Sequence, residues 1–427
     1  KKKALKHGEG SLSQRSSNGL WQGTFTYTDL DGKQVRKYVS SKDYNTALGK
    51  LAAVRREYLK EGDLISGSPT LEQWARYWFK HIVLVSKRPK TVASYRTAME
   101  QYIIPKLGKK RLDQLTPAHV RSLHTYIIDT KKLSPTTAQG AHRVLSLILK
   151  AAEREGKIRK NVATLTDAPQ TGPSTLVHLS PLHGSNILQI IRGDRLESLT
   201  QARLYTGARQ GELLGLEIDR VTDRIDLSWQ LQRVRWEHGC GEPTGTETIT
   251  REGKPDLKRP TWACGRIRGT ECPKRHVTFP RGSEHRHLQG GLYLVRPKTK
   301  SGRRVIPMFD PLAGILERRI LAAGDSTKNP HGLVWTNPDG SPIDPSRDNK
   351  AWHDILDKAG VPRARVHDAR HLNASMLLAA KVPPTVITKI LGHSSFVTSE
   401  GYMNVEISDL AAALSRSALQ LESPTVD

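Results

Sequence analysis

From residue 70 to residue 164 the chain carries no β-type run, and this uninterrupted helical stretch limits the fold more than any other feature. In TLEQWARYWFKHIVLV, VASYRTAMEQYIIPKLG, TPAHVRSLHTYIIDT and SPTTAQGAHRVLSLILKAAEREG, apolar residues recur at three- and four-residue spacing, the period of an amphipathic helix. Thr70 is placed to cap the first, with Glu72 in its opening turn. Thr116-Pro117 and Ser134-Pro135 each read as a cap followed by proline at the first helical position, where a missing N–H costs nothing. Asn161 and the run DAPQTGPS, residues 167–174, mark a linker. The expectation is a helical bundle over about 68–165 whose basic faces clamp a duplex.

The flanking segments read differently. Up to about residue 62, SLSQRSSNGLWQGTFTYTDLDGKQVRKYVSS has short β-prone runs broken by Asn18-Gly19 and Asp31-Gly32, dipeptides that supply the positive φ of hairpin turns. Residues 42–60 then switch to helical spacing. A three-stranded sheet with one helix against it fits. Arg15, Lys33, Arg36 and Lys37 on that sheet read as a strand-borne DNA contact or as simple solvation. From about 175 to 427 the pattern is mostly helical, with β-type interruptions at 224–235 and 290–307. The second, GGLYLVRPKTKSGRRVIPM, reads as a hairpin. The fold class is multidomain and mainly α: a small α+β module, a helical bundle, and a mixed, mostly-α domain with a small sheet.

Charge narrows the partner. Lys and Arg number 67 against 42 Asp and Glu, a net +25 over 427 residues. Self-repulsion of that size calls for a polyanion, and nucleic acid is the leading one. No basic amphipathic stretch has the clean apolar face of a membrane binder, and no apolar run approaches the ~18 residues of a membrane span. KKKALKHGEG is followed by no apolar core of a secretory signal, and three cysteines, an odd number, argue against a disulfide framework. Together these features predict a soluble, cytoplasmic protein.

The long C-terminal segment holds four further motifs: Arg209 in TGARQGELLGLEI, Lys298 in PKTKSGRR, His367 and Arg370 in VHDARHLNAS, and His393 in LGHSS. Tyr402 follows nine residues after His393. Singly, each has an ordinary reading as an ion pair, a solvated charge or a helix cap. In this order, ARQGELLGL, PKTKSGRRVIP, HDARH, LGHSS and Tyr402 resemble the catalytic domain of the tyrosine recombinases, the phage integrase family. The likeness spans about 200 residues, and the segments before it resemble the family's arm-binding (1–62) and core-binding (68–165) domains.

The resemblance implies a site-specific integrase that cuts and rejoins DNA through a 3′-phosphotyrosyl intermediate, with Tyr402 as nucleophile. It implies Arg209 and Arg370 on the phosphate, Lys298 as acid for the 5′ oxygen, His367 as base or hydrogen-bond partner, and His393 as a donor to the phosphate. Glu212 would hold Arg209 in place. No cofactor is needed for catalysis. The partners implied are arm-type and core-type DNA sites in a bacterial host, other copies of the chain in a tetramer, and an excision factor or DNA-bending protein. A dimer-resolving recombinase shares the reaction. A type IB topoisomerase fits the layout less well, and a non-catalytic regulator predicts the loss of at least one of these residues.

Two features stand outside that pattern. An insert at about 238–288 holds all three cysteines: Cys240, Cys264 and Cys272. With His276, four residues after Cys272, they match a structural zinc site in ligand type, but no CxxC pair is present, and incidental thiols remain the alternative. After Tyr402, Leu410, Ala413, Leu414 and Leu419 form a helical stripe. That helix packs either on its own domain or, as the resemblance implies, on a neighbouring protomer.

Overall fold

The computed structural model describes residues 9–28, 34–61, 69–172, 177–241, 243–251, 254–297, 304–323, 327–392 and 407–422. The chain forms two compact units, Lys1–Val83 with Ser94–Gly172, and Leu84–Ala93 with Pro173–Asp427.

The first unit opens with antiparallel strands β1 (Ser11–Gln14), β2 (Trp21–Thr28) and β3 (Gln34–Ser41), in that order across the sheet, followed by helix α1 (Tyr44–Glu61). Gly19 turns at φ +67°, and its N–H donates to the Arg15 carbonyl at 2.9 Å, as Asn18-Gly19 predicts. Asp31, Gly32 and Lys33 lie outside the described residues. Phe25, Leu51 and Val54 form a small core between sheet and helix. Alternation along β3 leaves Arg36 and Tyr38 exposed while Lys37 and Val39 are half-buried. Arg36 therefore stands on the face away from α1.

The helical stretch follows its sequence signals closely. Thr70 caps α2 (Leu71–Trp78) in a capping box with Gln73, and α2 continues through a π turn (Phe79–Val83) into α3 (Leu84–Ser86). Next come α4 (Pro89–Ala98), a π turn (Met99–Ile103) and α5 (Ile104–Leu107). Thr116 and Ser134 precede α6 (Pro117–Thr125) and α7 (Pro135–Arg154), each with proline in its first turn. A third π turn (Tyr126–Thr130) follows α6; each adds one residue to the helical phase, and Phe79, Ile103 and Ile127 within them are buried. The indole of Trp74 donates to the Ile148 carbonyl at 3.0 Å, tying α2 to α7. Asn161 is no linker residue: it is 2% exposed, and its side chain donates to the Ser146 carbonyl at 2.9 Å.

In the second unit one continuous apolar core runs through α8 (Pro181–Ile190), α9 (Glu197–Thr206), α10 (Gln210–Leu214), α11 (Leu312–Ala323), α12 (Pro345–Lys358), α13 (Asp368–Ala379), α14 (Pro384–Leu391) and α15 (Ile407–Glu422). Its strands are β4 (Arg224–Asp226), β5 (Gln230–Arg233), β6 (Gly245–Arg251), β7 (Lys254–Thr261), β8 (His285–Gln289), β9 (Leu292–Val295) and β10 (Val305–Pro307). Among the described residues they form sheets ordered β10-β4, β5-β9-β8 and β6-β7. The hairpin expected around Lys298 is not formed by its two flanking strands. Both edges of β9 are already taken by β5 and β8, so β10 pairs with β4 in a different sheet. The hairpin lies one strand earlier, between β8 and β9.

In the single chain the C-terminal helix packs on its own domain. Ala413, Leu414, Ala418 and Leu421 are buried in the common core, and Tyr205 Oη donates to Glu422 Oε1 at 2.9 Å. Gly184 leaves the room that Leu421 fills. Leu419 does not belong to the buried stripe; at 59% exposure it lies on the opposite face. Among the described residues no helix is long and apolar enough to cross a membrane.

Candidate active site

Helix α9 ends at Gly207, which adopts the left-handed conformation at φ +56°. A Cβ at that position would also meet Leu391 Cδ2 at 2.7 Å and Asn373 Oδ1 at 2.8 Å, so both the backbone and the space require glycine. The side-chain amide of Asn373, on α13, donates to the carbonyls of Leu204 and Tyr205 at 3.0 and 2.9 Å. These are carbonyls that a helix end leaves without partners. The turn after α9, the start of α13 and the end of α14 are thereby drawn together. Arg209, His367 and Arg370 come from these elements. Lys298, His393 and Tyr402 lie outside the described residues.

Arg209 sits at the N-cap of α10. Its N–H donates to Glu212 Oε2 at 2.7 Å, its Nη1 to Glu212 Oε1 at 2.8 Å, and its Nη2 to the Gly392 carbonyl at 3.2 Å. Sequence reasoning did not single out Arg304, which grips the same carboxylate with two hydrogen bonds of 2.9 and 2.8 Å. Burial alone would raise the Glu212 carboxyl, but Arg304 and Arg209 outweigh it and hold it below the usual carboxylate range. Arg370 is 3% exposed; its Nη1 donates to the Gly207 carbonyl at 2.8 Å and its Nη2 to the Leu391 carbonyl. Burial, with Arg304 and Arg209 nearby, pushes its guanidinium down to about 9, still cationic at neutral pH. Three guanidiniums around one carboxylate leave an excess of positive charge in a partly dry site. Such a site attracts an anion.

His367 is the N-cap residue of α13, one turn before Arg370, and stands edge-on to His371 with ring centroids 5.3 Å apart. Burial, then the neighbouring His371, Arg370 and Arg209, hold its imidazole below the ordinary histidine range against an opposing pull from Asp368. It is therefore neutral at pH 7 and able to accept a proton.

The insert brings four metal-ligand side chains together, but not quite the predicted four. Ligand atoms of His238, Cys240, Cys264 and Cys272 all lie within 4.8 Å of one another, and His276 is not among them. Glu237 and His276 are bridge partners, joined by two backbone hydrogen bonds. Strand alternation then turns His238, not its neighbour's partner, toward the sulfurs. Sequence spacing shows His238 two residues before Cys240, but only the bridge decides between the two histidines.

The Phage integrase family model matches residues 284–408, and that of the Phage integrase, N-terminal SAM-like domain matches residues 70–128. An integrase of Saccharopolyspora erythraea is 31% identical over 410 residues, 91% of each chain. An integrase of Streptomyces ambofaciens is 24% identical over 420 residues, covering 94% of this chain and 93% of that one. The solved structure of the Tn1549 transposon integrase in complex with transposon right end DNA superposes with a TM-score of 0.56 at 19% identity. It covers 81% of this chain and 94% of that chain, a likeness of fold.

Proposed function

This chain belongs to the phage integrase family and is a tyrosine site-specific recombinase; from that premise we propose that Tyr402 cleaves DNA at a phosphate held by Arg209 and Arg370. The phenolic oxygen attacks phosphorus, the bond to the 5′ oxygen breaks, and the strand is left joined to the enzyme as a 3′-phosphotyrosyl ester. His367 takes the phenolic proton and Lys298 supplies one to the departing 5′ oxygen. His393 donates to the phosphate. Attack by the 5′-hydroxyl of another strand reverses these steps, and the ester conserves the bond energy, so rejoining needs no nucleotide.

One observation carries this reading. The two arginines that suit the non-bridging oxygens are both anchored to backbone carbonyls of Leu391 and Gly392. Those residues open the LGHSS run, eleven and ten residues before Tyr402. Charge that grows on phosphoryl oxygens in the transition state would meet fixed guanidiniums there, in a partly buried site.

The remaining segments supply DNA affinity in this proposal. The sheet of residues 1–62, with Arg36 on its open face, binds arm-type sites, and the bundle of 68–165 binds core-type sites beside the catalytic domain of 175–427. Strand exchange takes place in a homotetramer in the bacterial cytoplasm, with an excision factor or DNA-bending protein setting direction. The strand-bearing module favours integration over dimer resolution, which uses the same chemistry.

A suicide substrate tests the core of this proposal: attachment-site DNA nicked so that the cleaved end diffuses away, incubated with no divalent ion added. Wild type is expected to give a covalent protein–DNA band on a denaturing gel, and Tyr402→Phe none. A band of equal strength from Tyr402→Phe would assign the nucleophile elsewhere.

A further inference from the structure

The insert leaves the catalytic domain after β5 and returns to it as β8, and both of these strands flank β9. Between them stands the two-stranded β6–β7 hairpin, of seven and eight residues. One small apolar cluster, Val234, Tyr293 and Val295 with Val277 and Phe279, joins β9 to the chain after β5 and to the later part of the insert. At the hairpin's root the chain brings together His238 and Cys240 from before β6 and Cys264 and Cys272 from after β7.

We propose that His238, Cys240, Cys264 and Cys272 hold one structural zinc ion that closes the root of this hairpin. The spacing fits the metal. A tetrahedral zinc with Zn–S of about 2.3 Å and Zn–N of about 2.0 Å has S···N edges of about 3.5 Å. The Cys264 and Cys240 sulfurs stand 3.5 and 3.9 Å from His238 Nδ1. All three cysteines are free, so no disulfide accounts for their convergence.

Backbone N–H groups converge on two of the sulfurs. The backbone N–H of Arg266 donates to the Cys264 sulfur and that of Lys274 to the Cys272 sulfur, each from two residues onward. The N–H of Gly239 also reaches Cys272. Such donors offset the negative charge that three coordinating sulfurs carry beyond a single divalent ion. Gly265, at φ +67°, makes the turn that aims the Arg266 N–H. The indole of Trp262 stacks on the His238 ring, centroids 4.1 Å apart and planes 5° from parallel, which fixes the ring that would bind metal. Cys272 is fully buried.

Four protein ligands leave no open coordination position, so the ion has no part in strand cleavage; its binding energy is folding energy for the insert. Through β5 and β8 the ordered insert braces β9, the strand that precedes Lys298 in the chain.

The test uses the full chain, purified from zinc-supplemented medium and dialysed against metal-free buffer. Elemental analysis is expected to find one zinc per chain. Replacement by Co²⁺ should give tetrahedral d–d bands with sulfur-to-metal charge transfer. His276→Ala should keep the full equivalent and Cys264→Ser should lose it. Because Cys264→Ser can fail by misfolding, His238→Cys provides the second arm: four thiolates should retain zinc, with a cobalt spectrum shifted toward that of an all-sulfur site. Less than ~0.2 equivalents of zinc, with all three thiols of the native protein open to a thiol reagent, would overturn the proposal. So would a cobalt spectrum that His238→Cys leaves unchanged, or loss of the metal in His276→Ala.

Discussion

Two groups of buried charge lie within one domain, and they are balanced differently. Arg203 meets Asp348 through hydrogen bonds of 2.7 and 2.9 Å, with both side chains at most 3% exposed, and Gln210 adds a third bond to the same carboxylate at 2.7 Å. There, one positive charge meets one negative charge. One residue away from Gln210, Arg209 shares Glu212 with Arg304, and Arg370 has only backbone carbonyls for hydrogen-bond partners among the described residues. A closed pair of the first kind holds elements in place. The second leaves positive charge uncompensated in a site of low dielectric, at a cost in stability that a bound phosphate would offset. The same residue type thus closes a packed ion pair in one place and leaves unbalanced positive charge a few residues along the chain, and the count of carboxylates tells the two apart.

The contrast is open to three experiments. The largest effect is expected from Asp348→Ala, which strands a buried guanidinium. Urea denaturation should show a loss of about 3–5 kcal/mol, whereas the double replacement Arg203→Met with Asp348→Leu should be near neutral. A loss below ~1 kcal/mol in the single variant would mean that the pair is not closed off from water.

Arg370→Ala should behave in the opposite way. Cleavage of the suicide substrate is expected to slow by about 10²- to 10³-fold, roughly 2.7–4 kcal/mol of transition-state stabilisation, while the melting temperature holds or rises. If melting falls as far as in Asp348→Ala, Arg370 is a strut and the contrast collapses.

The smallest effect concerns protons. His367 has a folded value below the ordinary 6.5. Cleavage should therefore hold down through pH 6.5 and decline only in more acid solution, as the base becomes protonated. The stability contribution has the same sign: the unfolded chain takes up the proton first, so stability is fully present above about 6.5 and is lost as pH falls through the folded value. Identical acid limbs in wild type and His367→Gln would remove His367 from the proton path.

Local signals carried much of this molecule. Thr70, Thr116 and Ser134 announce helix starts because a cap and its partner N–H lie three residues apart, and Asn18-Gly19 announces its turn for a similar reason. Arg209 and Glu212 are legible together because they are three residues apart. What escaped reading was set by distant contacts. Nothing near Arg304 shows that its carboxylate lies 92 residues earlier. Nothing in the alternation of 290–307 shows that β9 already has two partners, which sends β10 to β4. The buried face of α15 is fixed by α8 and α9, so Leu419 reads as core from its own period and proves exposed. The choice of His238 over His276 turned on one backbone bridge.

The carbonyls of Leu391 and Gly392 have a consequence for control. Each is held by an arginine that a phosphate would also recruit, so the two acceptors compete for the same donors. In the proposed reaction, whatever draws a guanidinium toward a phosphate loosens its hold on the backbone upstream of Tyr402, and whatever fixes that backbone elsewhere frees the guanidinium. Occupancy of the phosphate site and placement of the chain that leads to Tyr402 are therefore linked variables with equal and reciprocal coupling. Without an anion bound, the same hydrogen bonds hold both guanidiniums against the end of α14.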